Sequence, residues 1–264
     1  MANEVEKIGS VEGLGDIYES QPLPADKQLV AFIEKGINRY ASPGEVTRTR
    51  IASISTKSSR TSMAPIAVRG ANTILYRFSP LMNPLMIQRA VNLHRKGEYL
   101  AIPGAYEEAE AIARQEEGLE PEDRTAIILP QKGDFPLTPE TEATRFILER
   151  PAKQYFEIFG HTKIPLLDLS TDSEVPIINY LWFGRPEGGS FVSLRYRGLY
   201  GDDVAFGVLP TGVASAKKFG YDLTQIRDAN LEAIHAVLRN IGVHALEEML
   251  TKPLTDGLLK ELRK

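Results

Sequence analysis

The sequence contains no cysteine, only one tryptophan and four histidines among 264 residues. The lack of cysteine excludes a disulfide framework, thiolate metal ligands and a cysteine nucleophile. No apolar run approaches the roughly 18 residues that a transmembrane helix needs, and the first residues lack the cationic start and apolar stretch of a signal peptide. We therefore expect no membrane partner and a cytoplasmic, or virion-borne, location.

Motifs that would assign an enzyme class are also missing. The chain has neither a GxxxxGK[ST] phosphate loop nor a GxSxG elbow, and no two histidines lie at helical i,i+4 spacing with a carboxylate between them. We expect no strand before Gly13 and Gly15, although a dinucleotide fingerprint requires one. We predict no catalytic residue, no metal site and no cofactor, and we favour a protein that is not an enzyme.

Composition and length are those of an ordinary globular protein. Hydrophobic residues make up 42% and charged residues 25% of the chain, which excludes disorder as a description of the whole. No linker or repeat divides the sequence, so we expect a single α+β domain over residues 1–264. Residues 1–25 hold three glycines and two prolines and are expected to form an irregular N-terminal arm.

Helical and strand-like patterns follow each other along the chain. Helices are expected in N-terminal, central and C-terminal positions, over 26–40, 84–96, 104–117, a run from Thr138, 224–250 and 255–262. Four strand-like runs lie within 163–210, namely 164–169, 175–183, 190–197 and 204–209. Because short turn-rich connections favour antiparallel neighbours, the sequence predicts a four-stranded antiparallel meander packed with these helices.

Charge is distributed unevenly. Residues 46–97 contain nine Lys or Arg and no Asp or Glu, whereas residues 98–150 contain thirteen acids and five bases. At the average charged fraction, roughly six acids would be expected in the first of these segments. Concentrated positive charge attracts polyanions, and each phosphate neutralised by Lys or Arg releases condensed counter-ions.

Residues 46–78 carry the candidate binding residues. Their β-branched and alternating pattern predicts extended structure, and the hydroxyl-rich stretch 47–62 adds groups suited to phosphate contacts. We expect a projecting basic extension that binds a polyanion through Arg48, Arg50, Lys57, Arg60, Arg69 and Arg77. The plainer alternative is that the basic and acidic segments face each other, within one fold or across a subunit interface.

Acidic residues also cluster in and around the expected meander. Asp168 and Asp172 accompany one strand-like run, and Tyr200-Gly201-Asp202-Asp203 separates two others. This turn resembles the metal-binding hairpin in the palm of RNA-dependent polymerases and reverse transcriptases, where carboxylates hold two Mg²⁺ for phosphoryl transfer. Only 33 residues separate Asp168 from Asp202, so a plain Gly- and Asp-rich turn is the favoured interpretation.

Three functional hypotheses follow from these patterns. The first is a non-catalytic component of a larger assembly that binds a polyanion through segment 46–97, with nucleic acid as the expected polyanion. The second is a self-assembling shell, tail or filament subunit, in which the basic segment docks on the acidic region 98–150 of a neighbouring copy. The third is a metal-dependent phosphoryl-transfer enzyme that uses the four aspartates named above. The first two imply a homo-oligomer or a multi-subunit complex.

Overall fold

The computed structural model describes residues 4–187, 189–195, 199 and 203–210. These residues form six α-helices and thirteen β-strands, which confirms the α+β class. None of the described helices combines the length and the apolar character that crossing a membrane requires. The helices expected over 224–250 and 255–262 lie outside the described residues.

The six described α-helices are short, with 7 to 11 residues each. They are α1 (Ala25–Glu34), α2 (Pro43–Ile51), α3 (Pro84–His94), α4 (Ala105–Gln115), α5 (Glu142–Leu148) and α6 (Ala152–Ile158). The strands are β1 (Val5–Val11), β2 (Gly15–Ser20), β3 (Ser59–Arg60), β4 (Ala64–Ala67), β5 (Ile74–Tyr76), β6 (Leu100–Ala101), β7 (Ala126–Ile128), β8 (Phe135–Leu137), β9 (Ile164–Leu167), β10 (Ile177–Ile178), β11 (Trp182–Phe183), β12 (Val192–Ser193) and β13 (Val204–Leu209).

The strands form two sheets. The larger sheet has the order β1-β2-β13-β3-β11-β12-β9-β8, and the smaller one has the order β6-β10-β4-β5-β7. In the larger sheet β13 pairs parallel with β3, β12 pairs parallel with β9, and β11 lies antiparallel between β3 and β12. Strands β3, β9, β12 and β13 therefore run in the same direction, and the chain enters all four from one end of the sheet.

The smaller sheet separates two apolar clusters. Leu75 and Ile127 belong to the cluster that also contains the buried side chains of α5 and α6, whereas Ile74 and Ala126 belong to the cluster with α3 and α4. Successive residues of a strand point to opposite faces, so this alternation places one cluster on each side of the sheet. The first cluster also contains Phe206 of the larger sheet and thereby joins both sheets in one core.

The expectation of an irregular N-terminal arm is wrong, because most of residues 1–25 form a hairpin. Strand β1 pairs antiparallel with β2, and β2 pairs in turn with β13. Gly13 and Gly15 adopt φ angles of +70° and +125°, which side chains rarely allow, at the turn between the two strands. The glycines that suggested irregular structure are thus the residues that reverse the chain.

The expectation of a projecting extension over 46–78 is also wrong. Residues 46–51 belong to α2, and the rest supplies β3, β4 and β5 to the two sheets. Ser42-Pro43-Gly44 begins α2: the Ser42 hydroxyl accepts from the backbone N–H of Glu45 (3.1 Å), and the Glu45 carboxylate accepts from that of Ser42 (2.6 Å). This reciprocal cap, with proline at the first helical position, is a strong helix start.

The antiparallel meander expected over 163–210 does not form either, although strands occur in all four runs. Run 175–183 divides into β10, in the smaller sheet, and β11, in the larger one. Between them the amide of Asn179 donates to the Leu194 carbonyl (3.2 Å), and the hydroxyl of Tyr180 donates to the Leu81 carbonyl (3.2 Å). These non-local contacts fix the crossing from one sheet to the other, which local alternation does not encode.

We predict that Gly207→Ala in β13 destabilises the fold by about 1–3 kcal/mol, because an added methyl group overpacks a filled core. A Cβ at this position would lie 2.8 Å from side-chain atoms of Phe32 and Ile37. Urea unfolding followed by circular dichroism measures the change. Gly118→Ala is the control, since no atom lies within 4 Å of its Cβ position, and a Gly207→Ala variant as stable as this control would contradict the packing described.

Candidate functional site

The structure does not present the six predicted cations as an exposed group. Arg50 and Arg60 are each only 1% exposed, so the expectation that they face outward is wrong. Five of the six lie near carboxylates of the same chain: Arg48 and Arg77 near Glu149, Lys57 near Glu19, Arg60 near Asp203 and Arg69 near Glu174. Polyanion binding by the ones that keep exposed side chains, Arg48, Lys57 and Arg69, stays a prediction.

The basic and acidic segments do meet at Glu149. Its carboxylate accepts a hydrogen bond from Arg77 (3.0 Å) and lies 3.5 Å from Arg48. Arg77 also donates to the backbone carbonyls of Glu122 (3.1 Å) and Phe146 (2.9 Å). Burial lowers the pKa of Arg77, and the neighbouring Glu149 opposes that shift. The intramolecular alternative therefore holds for these two arginines.

Arg50 is a buried cation that contacts no carboxylate among the described residues. Its guanidinium donates to the Tyr155 hydroxyl (3.1 Å) and to the carbonyls of Lys57 (3.0 Å) and Phe183 (3.1 Å), and it stacks 4.0 Å from the centre of the Phe183 ring. The Tyr155 hydroxyl bonds in turn to that of Ser190 (2.7 Å). Burial lowers the pKa of Arg50. One side chain thus joins α2, α6, the entry to β3 and the exit from β11.

Arg60 forms a second buried network beside it. Its guanidinium donates to the Gln28 side-chain carbonyl (2.6 Å) and to the Asp203 backbone carbonyl (3.0 Å). The Gln28 amide donates to the same Asp203 carbonyl (2.6 Å) and to the Ser20 hydroxyl (2.8 Å). The network ties α1 and β2 to the residue that precedes β13.

The two networks support one end of the larger sheet. Segment 53–58 precedes β3, segment 161–163 precedes β9, and segment 184–191 links β11 to β12, so the strand directions bring all three to this end. Thr56 donates to the Glu187 carboxylate (3.0 Å), and a hydrogen bond between His161 and the Pro186 backbone opposes the lowering of the His161 pKa by burial. We call these three segments, without residue 188, the loop face.

Exposed cations lie on the loop face. Lys57, Lys163 and Arg185 are all solvent-exposed. Lys57 pairs with Glu19, whereas Lys163 and Arg185 form no ion pair with a described residue. Sequence reasoning missed Lys163 and Arg185 because they lie outside the acid-free segment, and no local pattern indicates that they lie at the same end of the larger sheet as Lys57.

The aspartates of the third hypothesis are not brought together in the described part of the chain. Asp168 follows β9 and accepts from the Gly133 backbone N–H (2.9 Å), whereas Asp203 precedes β13 and lies 3.8 Å from the Arg60 guanidinium. Because β9 and β13 run in the same direction, these two residues belong to opposite ends of the sheet. Asp172 is exposed, and Asp202 lies outside the described residues. The described residues contain no group of three or more His, Asp or Glu placed to hold a metal ion.

We predict that Arg50→Lys lowers the free energy of unfolding by about 2–4 kcal/mol, although it conserves the charge. An ammonium group cannot reproduce the planar set of donors and leaves buried carbonyls unsatisfied. Thermal or urea unfolding measures the loss. Arg89→Lys, at an exposed position of α3, is the matched control and should change stability by less than about 0.5 kcal/mol. Equal stability of the two variants would show that the Arg50 contacts are dispensable.

No protein-family model and no curated protein sequence matches this chain. Among solved structures, it is similar to one described as "Accommodation of massive sequence variation in Nanoarchaeota by the C-type lectin fold". The match has a TM-score of 0.51 and 13% sequence identity, and it covers 76% of this chain and 100% of the other. At this identity the likeness concerns the fold alone, and one fold supports many functions. The chain therefore shares the C-type lectin fold.

Proposed function

We propose that this chain is a non-catalytic component of a larger assembly and that its loop face binds a polyanion. Nucleic acid is the polyanion that we propose first. The observation that carries the proposal is the placement of three exposed cations, Lys57, Lys163 and Arg185, on loop segments at one end of the larger sheet. Beneath two of these segments, the buried Arg50 guanidinium binds the carbonyls of Lys57 and of Phe183, which precedes segment 184–191. Exposed cations supply the counter-ion release on which most nucleic-acid affinity rests.

The support beneath the loop face favours a binding role. Segment 184–191 is closed by a backbone hydrogen bond from Gly184 to Phe191 (2.8 Å), and the Phe191 ring packs 4.8 Å from that of Trp182. A Cβ at Gly184 would lie 2.6 Å from the Phe191 ring, so this contact requires glycine. Loops held in this way lose less conformational entropy when a partner binds, which favours affinity.

The structural comparison supports the same role. The similar solved structure is described as accommodating massive sequence variation in the C-type lectin fold. A framework of that kind keeps its shape while the residues that it presents change, and recognition proteins require this property. In the present chain Arg50 and Arg60 lie within the framework, whereas Lys57, Lys163 and Arg185 are exposed on it.

The two other hypotheses have less support. Docking of the basic segment on a neighbouring copy would compete with the contacts that Arg48 and Arg77 make with Glu149 of their own chain. Phosphoryl transfer by two metal ions requires carboxylates that share both ions, whereas Asp168 and Asp203 belong to opposite ends of the larger sheet.

We predict that the combined change Lys57→Gln, Lys163→Gln and Arg185→Gln weakens binding of a labelled single-stranded oligonucleotide at least tenfold. Each cation that contacts a phosphate adds about 0.7 to the slope of log K against log salt for single strands, so the slope should fall by about 2. Fluorescence anisotropy between about 50 and 200 mM salt measures both quantities.

The matched control changes Arg89, Arg95 and Lys96, which are exposed in and just after α3, to glutamine. This control also removes three positive charges, all of them from the acid-free segment, but it leaves the loop face intact. It should therefore retain most of the affinity for the oligonucleotide. Undetectable binding of the unmodified protein at low salt would eliminate polyanion recognition. An equal loss in both triple variants would place the binding elsewhere on the molecule.

A further inference from the structure

A cleft of about 640 Å³ lies between α2, the start of α6 and the turn Pro121–Asp123. Its volume is within the roughly 300–1,000 Å³ typical of small-molecule sites. It shares no residue with the loop face. Its lining combines arginines, carboxylates and an amide with the apolar side chains of Val11, Ile51 and Pro151.

Glu149 contributes to the lining from a strained backbone. Its φ and ψ angles are +60° and −156°, and among the described non-glycine residues only Ser53 shares a positive φ. Arg77, Arg48 and the Ser42 hydroxyl (3.3 Å) hold its carboxylate, and a Cβ at Gly44 would lie 2.2 Å from its carboxyl carbon. Strained residues of this kind persist where surrounding contacts fix them, and they concentrate at ligand sites.

Some of the charged groups in the cleft already have strong partners. Glu149 is engaged by Arg77, and Glu122 accepts two hydrogen bonds of 2.9 Å from Arg145. Their carboxylates are therefore poorly placed to take up a cationic ligand.

Other groups in the cleft keep capacity for a ligand. Arg150 and Asp123 are exposed and form no ion pair with a described residue. The Arg48 side chain is 39% exposed, and the exposed amide of Gln154 is a further polar group. The cleft thus keeps arginine donors for an anion and one carboxylate for a cation.

We propose that this cleft binds a small zwitterion with a free carboxylate, a free ammonium group and an apolar body, of the size of a dipeptide. Arg48 and Arg150 bind the carboxylate, because guanidinium donors match its geometry. Asp123 binds the ammonium group, and the apolar residues of the cleft pack against the hydrocarbon part. The near balance of positive and negative side chains disfavours a polyanion and suits a ligand without net charge.

Isothermal titration calorimetry with the dipeptide leucyl-leucine tests the proposal, with two capped forms as comparisons. N-acetyl-leucyl-leucine keeps only the carboxylate, and leucyl-leucine amide keeps only the ammonium group. We expect saturable binding of the free dipeptide and at least tenfold weaker binding of each capped form. Absence of saturable binding in the millimolar range, or binding unchanged by either cap, would overturn the proposal.

Two variants test which residues bind the carboxylate and the ammonium group of the ligand. The affinity for the free dipeptide should fall at least tenfold in each of the variants Arg150→Gln and Asp123→Asn. Oligonucleotide binding should be unchanged in Arg150→Gln. Lys153→Gln is the control, since Lys153 is an exposed residue of α6 outside the cleft lining. Equal effects of Arg150→Gln and Lys153→Gln on dipeptide binding would contradict the assignment of Arg150 to the ligand carboxylate. Because the oligonucleotide assay is separate, failure here is distinguishable from failure of the proposed function.

Discussion

The loop end of the larger sheet depends on one buried guanidinium. Arg50 is removed from water and contacts carbonyls, a hydroxyl and an aromatic ring, without a carboxylate among the described residues. A desolvated charge is costly unless hydrogen bonds replace the lost water. The carbonyls of Lys57 and Phe183 and the Tyr155 hydroxyl accept from the terminal nitrogens of Arg50, whereas its buried Nε has no acceptor among the described residues. The two carbonyls are thereby fixed at the base of the loop face.

The same interactions explain the charge pattern of the sequence. Residues 46–78 do not project but supply most of α2 and the strands β3, β4 and β5. Within this segment Arg50, Arg60 and Arg77 donate to backbone carbonyls. A carboxylate in their place would have no donor to accept from and would be costly to bury. The shortage of acids in this segment is therefore consistent with a structural demand for donors, and only the cations that stay exposed are available to a partner.

Local signals predicted the parts of the fold that local contacts determine. Helix α3 starts where Asn83 and Pro84 indicate, because the Asn83 side chain accepts from the backbone N–H groups of Leu85 and Met86. The capping pattern Ser42–Glu45 is an equally local signal, and it marks the start of α2. The pairing of strands as short as two residues cannot be predicted from local sequence, since it depends on non-local contacts such as that of Asn179 with Leu194. The loop face therefore could not be predicted: only the pairing of β3, β11, β12 and β9 places Lys163 and Arg185 at the same end of the larger sheet as Lys57.

Amide hydrogen exchange in the Arg50→Lys variant tests the central claim most directly. If Arg50 holds the loop face from beneath, amides in segments 53–58 and 184–191 should exchange at least tenfold faster than in the unmodified protein, because local opening costs less free energy. Amides of β4 and β5, in the smaller sheet, should lose no more protection than the decrease in global stability measured for the same variant accounts for. Unchanged exchange in both loop segments would contradict the account, since it would mean that the loops keep their conformation without the arginine.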